Sequence, residues 1–207
     1  SDGPFQAGSL IDLRTIRLIP KESGPIEDGI DWSVIHVGTE VAPKPGPYGG
    51  KPHAIPGTIE AEHYDEGPAE LAYHDNDPQN QGTDYRKNTQ VDIEKRDDAS
   101  NGHGIGWTRK GEWLHYTVEV AKDGVYQITI PVASDKQGGL FHLEIEGKDL
   151  TGPIRIPDTG GWTILKTISH KGVQLKKGIH TIRAIMDENG PSNSIGDIDY
   201  FKFSPAK

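Results

Sequence analysis

The sequence predicts an all-β protein: an antiparallel β-sandwich with an irregular N-terminal segment. Glycine and proline are frequent, with 26 and 15 copies in 207 residues, and they divide the chain into short runs typical of strands. From Thr58 onward these runs alternate apolar and polar residues with a period of two, and no long helical pattern interrupts them. Because no strand-helix-strand rhythm appears, antiparallel pairing in a sandwich is favoured.

Nine strands are predicted in order along this part of the chain. Their segments are TIEAEHY (58–64), VDIE (91–94), EWLHYTVEV (112–120), VYQITIPVA (125–133), LFHLEIE (140–146), WTILKTI (162–168), VQLKK (173–177), IHTIRAIMD (179–187) and DIDYFKFS (197–204). Clusters of glycine, proline, asparagine and aspartate separate most of them, as expected of turns.

The alternation also assigns the faces of two strands, because successive side chains of a strand point to opposite sides of the sheet. The residues expected in the core are Leu114, Tyr116, Val118, Val120, Phe141, Leu143 and Ile145. Trp113 is on the outward register of its strand, although a tryptophan there can also fold over a loop, so both positions stay open. His142 and Glu144 are expected on the outer surface.

The composition changes near residue 50. Residues 21–53 are rich in proline and glycine, as in APKPGPYGG, and are interpreted as a linker before a module at 54–207. Within residues 1–20, SLIDLRTIRLIP resembles SIGDIDYFKFSP at 194–205, which suggests the last strand of a preceding β-domain. The alternative is that any amphipathic strand before a proline gives this pattern.

Charge and composition exclude several classes of function. The formal net charge is −9 and no basic stripe is present, which argues against nucleic acid and favours a neutral or cationic partner. No apolar run approaches the ~20 residues that span a bilayer, so no membrane partner is predicted. The absence of cysteine excludes disulfides and thiolate sites. The chain opens on SDGPFQ, without an initiator methionine or a leader pattern, which we interpret as a piece of a longer, exported protein.

Paired carboxylates predict a cation site between the ends of the module. Glu60 and Glu62 are two residues apart on a strand, so their side chains share a face at a spacing of roughly 7 Å and repel each other. Asp197 and Asp199 have the same spacing on the last strand, which commonly lies near the first in a sandwich. Carboxylate oxygens and backbone carbonyls together are typical Ca²⁺ ligands.

Two other interpretations of Glu60 and Glu62 remain open. Retaining glycosidases hold two carboxyl groups about 5 Å apart, so the pair could be the nucleophile and the acid of a small glycoside hydrolase. Such an enzyme needs a long cleft with many aromatic residues, which this sequence does not predict. The pair could also be solvated surface glutamates without a role.

Aromatic side chains at loop edges predict sugar binding. Tyr85 in GTDYRKN and Trp162 in TGGW both lie where a loop becomes a strand. An exposed aromatic ring there usually has a function, and the apolar face of a pyranose complements such a ring. Trp107 in HGIGWTRKG is instead expected to pack against the rim of the sandwich. The scattered histidines form no metal-binding motif, and no nucleophile elbow or phosphate-binding loop occurs.

Residues 54–207 resemble the family 6 carbohydrate-binding modules, which are noncatalytic sandwiches attached to bacterial polysaccharide-degrading enzymes. The matching pieces are AIPGTIEAEHYD, AYHDNDPQNQGTDYR, VDIE, GIGWTRKGEWLHYTVEV, GGLFHLEIEG, IPDTGGW, GIHTIRAIMD and IDYFKF, in that order. The resemblance implies a jelly roll with a galactose-binding-like fold. It also implies a secreted bacterial protein without catalytic activity of its own, covalently attached to a glycan-degrading enzyme.

The resemblance also assigns roles to single residues. It places the structural calcium of the family on Glu60, Glu62 and Asp199. It places the main sugar site between Tyr85 and Trp162. A polar residue, commonly asparagine in the family, contacts hydroxyls there, and this position is Asp197, which can only accept hydrogen bonds when ionised.

Some members use a second cleft on a sheet face, for which Glu144 and His142 are the candidates. Members bind xylan, cellulose, β-1,3-glucan or agarose, and this sequence is slightly more similar to the β-1,3-glucan subset. A structural spacer in a surface protein is the remaining alternative function.

Overall fold

The alternating segments form two β-sheets that share one apolar core. The computed structural model describes residues 44–83 and 85–206. The strand predicted within residues 1–20 and the first part of the predicted linker lie outside the described residues. Apart from a three-residue 3-10 turn at Tyr48–Gly50, the regular structure of the described residues is all strand. None of it is a helix long and apolar enough to cross a membrane.

Each sheet has seven strands. The first contains β1 (His53–Ile55), β3 (Tyr73–His74), β6 (Trp113–Val120), β8 (Leu140–Ile145), β9 (Lys148–Asp149), β10 (Ile154–Arg155) and β12 (Gly178–Glu188). The second contains β2 (Gly57–Glu60), β4 (Ile93–Lys95), β5 (His103–Ile105), β7 (Gly124–Ser134), β11 (Gly161–Leu175), β13 (Asp197–Ile198) and β14 (Tyr200–Pro205).

The order of the first sheet is β1-β6-β12-β8-β10, with β3 on β6 and β9 on β8. The order of the second is β2-β14-β7-β13-β5-β4, with β11 on β7. Among these named strands β1 and β6 pair in parallel, and the other pairs are antiparallel. The predicted antiparallel β-sandwich is therefore confirmed.

The predicted strands are present, with three differences. The segment 58–64 is a strand only as far as Glu60, the last residue of β2, because the chain turns there and the His63 amide donates to the Glu60 carbonyl at 3.0 Å. Glu62 lies in this turn, so the prediction that Glu60 and Glu62 share one face of a strand is wrong. The segments 162–168 and 173–177 belong to one strand, β11, whose register shifts between Lys171 and Val173. The segment 197–204 is divided into β13 and β14 by an extra residue, because three residues separate Ile198 from Lys202 while only two separate their partners on β7. This extra residue is a β-bulge, a feature that period-two alternation alone does not predict.

The core confirms the predicted faces of β6 and β8. Leu114, Tyr116, Val118 and Val120 are buried, as are Phe141 and Leu143, whereas Ile145 is only partly buried. Phe201 from the second sheet meets Tyr116 and Phe141 from the first in edge-to-face contacts, with ring centroids 5.6 and 6.4 Å apart. Such aromatic contacts between the two sheets stabilise the fold by more than the burial of their apolar area alone.

The sandwich begins before the predicted boundary at residue 54. Gly46 and Glu66 exchange two backbone hydrogen bonds of 2.9 and 2.7 Å. His53 is already part of β1, which pairs with β6. We call residues 46–52 the N-terminal strap. Proline and glycine prevent a long strand here, as predicted, but they do not prevent docking of the chain onto the module.

Tyr48 attaches the strap to the module. Its ring stacks on the His63 ring with centroids 4.0 Å apart, and its hydroxyl lies 2.6 Å from the Tyr85 hydroxyl. The Arg86 guanidinium lies 5.2 Å from the centre of the same ring. One side chain therefore combines stacking, a hydrogen bond and a cation–π contact.

We expect Tyr48→Ala to release the strap. Loss of the stack and the hydrogen bond should remove roughly 1–2 kcal/mol of local stability, so the backbone amides of the strap should exchange with deuterium about tenfold faster. Hydrogen–deuterium exchange mass spectrometry measures this rate. Tyr48→Phe keeps the ring and serves as the matched control with a smaller effect. Equal exchange in both variants and the parent would contradict the role of Tyr48.

Candidate functional site

Trp162 stands at the start of β11 on a loop held by Thr159. The Thr159 hydroxyl lies 2.9 Å from both the amide nitrogen and the carbonyl oxygen of Ser134 on β7. Gly160 has φ +94°, in a region that favours glycine, which explains the two glycines before the tryptophan. The loop is thereby fixed while the Trp162 side chain remains 36% exposed.

Tyr85, the predicted partner of Trp162, belongs to a different cluster. Its hydroxyl is hydrogen-bonded to the Tyr48 hydroxyl and lies 2.9 Å from Nε2 of His63. Its ring stacks on His103 with centroids 4.6 Å apart, and it packs partly buried against the core. Burial lowers the pKa of His63 to about 4, so at neutral pH this ring is uncharged. The described contacts of Tyr85 attach the strap to the module.

Side chains of β5 point to both sides of the second sheet. His103 and Gly104 are successive residues of β5 and therefore face opposite sides of the sheet. Tyr85 lies against His103, whereas Glu94 is paired with Gly104. Glu94 shares an open depression with Thr163, the neighbour of Trp162. That Tyr85 and Trp162 clasp one sugar stays a prediction.

Trp107 is a second exposed aromatic residue, and the glycine before it lies on Glu94. It is 46% exposed, so the expectation that it packs against the rim is wrong. A side-chain carbon on the preceding Gly106 would lie 3.3 Å from the carboxyl carbon of Glu94, so this backbone lies directly on Glu94. Trp107 and Trp162 thus both adjoin the region of Glu94. The shared sequence signal was a tryptophan directly after glycine, in GIGW and TGGW.

The floor of this region is a network of carboxylates around Arg96. The Arg96 guanidinium donates to Asp98 through Nε and Nη2, at 3.0 and 2.9 Å. Its Nη1 donates to Asp197 at 2.9 Å and to Glu94. We call Glu94, Arg96, Asp98 and Asp197 the acidic floor. Its geometry is rigid, because one planar group holds three carboxylates.

Asp197 is largely buried against Arg96. Only 4% of the residue is exposed, and its Oδ2 accepts a hydrogen bond from Arg96. Burial and the adjacent Glu94 carboxylate raise the pKa of Asp197, and Arg96 opposes this shift. A contact of Asp197 with sugar hydroxyls stays a prediction. The exposed acceptors of the floor are the side chains of Glu94 and Asp98, which are 21% and 35% exposed.

The predicted calcium ligands lie around one loop. The Ser100 hydroxyl contacts Glu60 at 2.6 Å and Asp199 at 3.1 Å, and its amide also donates to Asp199 at 3.2 Å. The Asn101 amide contacts Glu62 at 2.5 Å. The strand pairing explains this convergence, because Glu60 on β2 is opposite Tyr200 on β14, next to Asp199.

The environment of the Glu62 carboxylate is suited to binding a cation. Glu62 is fully buried, and its Oε2 has no hydrogen-bond partner among the described residues. Burial is the main reason that the pKa of Glu62 is raised to about 7, and the charges of Glu60 and Asp199 add to this effect. A buried carboxylate oxygen without a partner is costly, and a cation at this point would remove the cost.

A second acidic group was not predicted. Asp75, Asp77 and Asp92 each offer a carboxylate oxygen within 4.8 Å of the others. Burial raises the pKa of Asp75 to about 6, and Arg109 lies 3.2 Å from Asp77. The described part of the chain shows no buried oxygen without a partner in this group, in contrast to Glu62.

The candidates for a second cleft lie on the outer face of the first sheet. His142 Nδ1 is 2.9 Å from both carboxylate oxygens of Asp187, and Glu144 is 3.4 Å from Arg183. The Arg183 guanidinium also covers the Trp113 ring at 4.4 Å from its centroid. Trp113 is therefore outward but already stacked, so this face offers less free aromatic surface than the Trp107 and Trp162 edge.

Comparison with known proteins supports the assignment of the fold and the family. Residues 81–205, more than half of the chain, match the family described as carbohydrate binding module (family 6). The clotting factor G alpha subunit of Tachypleus tridentatus is 32% identical over 92 residues. That match covers 44% of this chain but only 14% of the relative.

Two solved structures share the fold. A β-1,3-glucan binding CBM6 from Bacillus halodurans has a TM-score of 0.56 at 24% identity, over 74% of this chain and 98% of that chain. A module of Cellvibrio mixtus lichenase 5A, in complex with cellotriose, has a TM-score of 0.54 at 26% identity, over 74% of this chain and 99% of that chain. The sandwich, the order of its sequence motifs and the family match lead to one conclusion: this chain belongs to carbohydrate-binding module family 6.

Proposed function

We propose that the module binds a polysaccharide at the edge formed by Trp107, Trp162 and the acidic floor. The observation that carries this proposal is the exposure of two tryptophan rings, 46% and 36%, beside rigid carboxylate acceptors. An indole covers the apolar face of a sugar ring, while Glu94 and Asp98 accept hydrogen bonds from its hydroxyls. A β-glucan is the favoured ligand, and xylan and agar-type chains are the alternatives. The related lichenase module, with its bound cellotriose, supports a β-glucan.

The expected affinity is modest. Burial of about 100 Å² per ring contact contributes roughly 2–3 kcal/mol before entropic costs. Two rings and a few hydrogen bonds then account for the ~4–8 kcal/mol of millimolar to micromolar binding. Such affinity suits a module that keeps an attached glycan-degrading enzyme near its substrate. The attachment and a secreted bacterial location belong to this proposal.

We also propose that the chain has no catalytic activity of its own. A retaining mechanism on Glu60 and Glu62 would require both carboxyl groups to reach the substrate. Glu62 is fully buried and held by Asn101, which disfavours the glycosidase alternative.

We expect Trp162→Ala and Trp107→Ala each to weaken binding to β-1,3-glucan about 30-fold or more, which corresponds to roughly 2 kcal/mol per lost ring contact. Affinity gel electrophoresis on a panel of polysaccharides measures this. Trp113→Ala, on the outer face of the first sheet, is the matched control and should bind like the parent.

Three outcomes separate the alternatives. Retention lost only in Trp113→Ala would move the site to the second cleft at His142 and Glu144. Release of reducing sugar by the parent chain would support the hydrolase. A parent chain retained by no polysaccharide would support a structural spacer.

We also propose that Ca²⁺ binds between Glu60, Glu62 and Asp199. The support is the buried Oε2 of Glu62, which has no hydrogen-bond partner in the described part of the chain, and the closeness of the Glu60 and Asp199 carboxylates. Glu60 ends β2, Glu62 lies in the turn after it, and Asp199 lies between β13 and β14. An ion here would therefore connect the two ends of the module. The ion would have a structural role. It would balance the charge of the carboxylates and take no part in a reaction.

Calcium binding should depend on pH. Without the ion, Glu62 holds its proton up to about pH 7, because its pKa is raised in the folded state. Ca²⁺ requires the ionised carboxylate, so its affinity should rise as the pH increases through 7. The raised pKa alone has the opposite effect on the calcium-free protein, whose stability falls as the pH rises from about 4.5 to 7.

We therefore expect Ca²⁺ to raise the melting temperature clearly at pH 8 and much less at pH 5.5, relative to EDTA. Differential scanning calorimetry measures both shifts. Glu62→Gln should abolish the calcium shift, while Glu119→Gln at an exposed position of β6 should preserve it. A calcium shift that is equal at both pH values, or that survives in Glu62→Gln, would rule out this site.

A further inference from the structure

The acidic floor presents negative charge to a ligand and hides its positive charge. The side chains of Glu94 and Asp98 are 21% and 35% exposed, whereas that of Arg96 is only 4% exposed. A ligand between the tryptophans therefore meets carboxylate oxygens and not the guanidinium.

Four of the five N–H donors of Arg96 are already used. Nε and Nη2 bind the two oxygens of Asp98, and Nη1 binds Asp197 and Glu94. The guanidinium cannot turn toward a carboxylate or sulfate group on a sugar without breaking these bonds. Arg96 therefore acts as a positioning residue that holds the exposed carboxylates in place.

The charges near this depression do not balance. The acidic residues are Glu94, Asp97, Asp98 and Asp197, and the basic residues are Lys95 and Arg96. Even with a proton on Asp197, acidic groups outnumber basic groups. Negative charge beside exposed indole rings is an environment that favours a cation, both through cation–π attraction and through charge-assisted hydrogen bonds.

We propose that the site prefers glycans that carry protonated amino groups, with glucosamine as the sugar type, and that Glu94 determines this preference. This inference rests on the proposed function, because the tryptophans must first hold the sugar ring. The ammonium group of the sugar would donate to Glu94 and Asp98 in place of a hydroxyl. Glycans with carboxylate or sulfate groups would be repelled by the same floor.

The test compares two β-1,4-linked tetrasaccharides that differ only at C2. Cellotetraose has a hydroxyl there, and the glucosamine tetramer has an amino group. Isothermal titration calorimetry of the full chain at pH 5.5 should show about fivefold to tenfold tighter binding of the glucosamine tetramer, because hydrogen bonds to charged groups are the stronger ones. Raising the salt from 50 to 500 mM should reduce this preference, because the floor is partly exposed.

Glu94→Gln keeps the shape and removes the charge. It should reduce the preference to less than twofold and change the affinity for cellotetraose much less. Glu119→Gln removes an exposed charge on β6 and is the matched control, with the preference unchanged. Acetylation of the glucosamine tetramer should also abolish its gain in affinity over cellotetraose, because acetylation removes the positive charge of the amino groups.

The inference is overturned if the glucosamine tetramer binds no more tightly than cellotetraose, or if the preference survives in Glu94→Gln. Binding of β-1,3-glucan without any binding of the glucosamine tetramer would overturn it and leave the proposed function intact. If no saccharide binds, the proposed function itself fails and the inference fails with it.

Discussion

The insertion of the C-terminal strands into the middle of the second sheet is the constraint on which the other features depend. β13 pairs with β7 and β5, and β14 pairs with β7 and β2, so the end of the chain contacts three distant segments. Phe201 points inward to Tyr116 and Phe141, while Asp197 reaches Arg96 and Asp199 reaches Ser100. Core packing, the acidic floor and the predicted calcium ligands thus arise from one short stretch of chain.

The two carboxylate clusters differ in how their charge is compensated. Around Asp197 the sequence supplies its own cation, since Arg96 binds Asp197, Glu94 and Asp98 together. Around Glu62 no side chain does so, and a buried oxygen is left without a partner among the described residues. A buried carboxylate must be protonated, paired or bound to a metal. The first cluster can therefore serve ligand selection, while the second is suited to an ion.

Trp107 and Tyr85 show why the exposure of single aromatic residues was only partly predictable. Both are single aromatic residues at loop edges, and the sequence contains no sign of which one remains free. Tyr85 is occupied by Tyr48, His63 and His103, partners that lie 18 to 37 residues away. Trp107 is 46% exposed, and the backbone of the preceding Gly106 lies on Glu94, twelve residues away in sequence. Long-range neighbours decide exposure, and a local pattern does not contain them.

The sequence by itself determined the class of fold, the strands and the inward faces, because period-two alternation and turn residues act over short distances. It also indicated Trp162 and the carboxylates of Glu60, Glu62 and Asp199, whose residue types limit their chemistry. Only the tertiary structure decided that Asp197 is buried against Arg96, that residues 46–52 pack onto the module, and that the backbone before Trp107 lies on Glu94. The physical reason is that burial and charge pairing depend on which distant segments meet, and this contact is set by the packing of the whole chain.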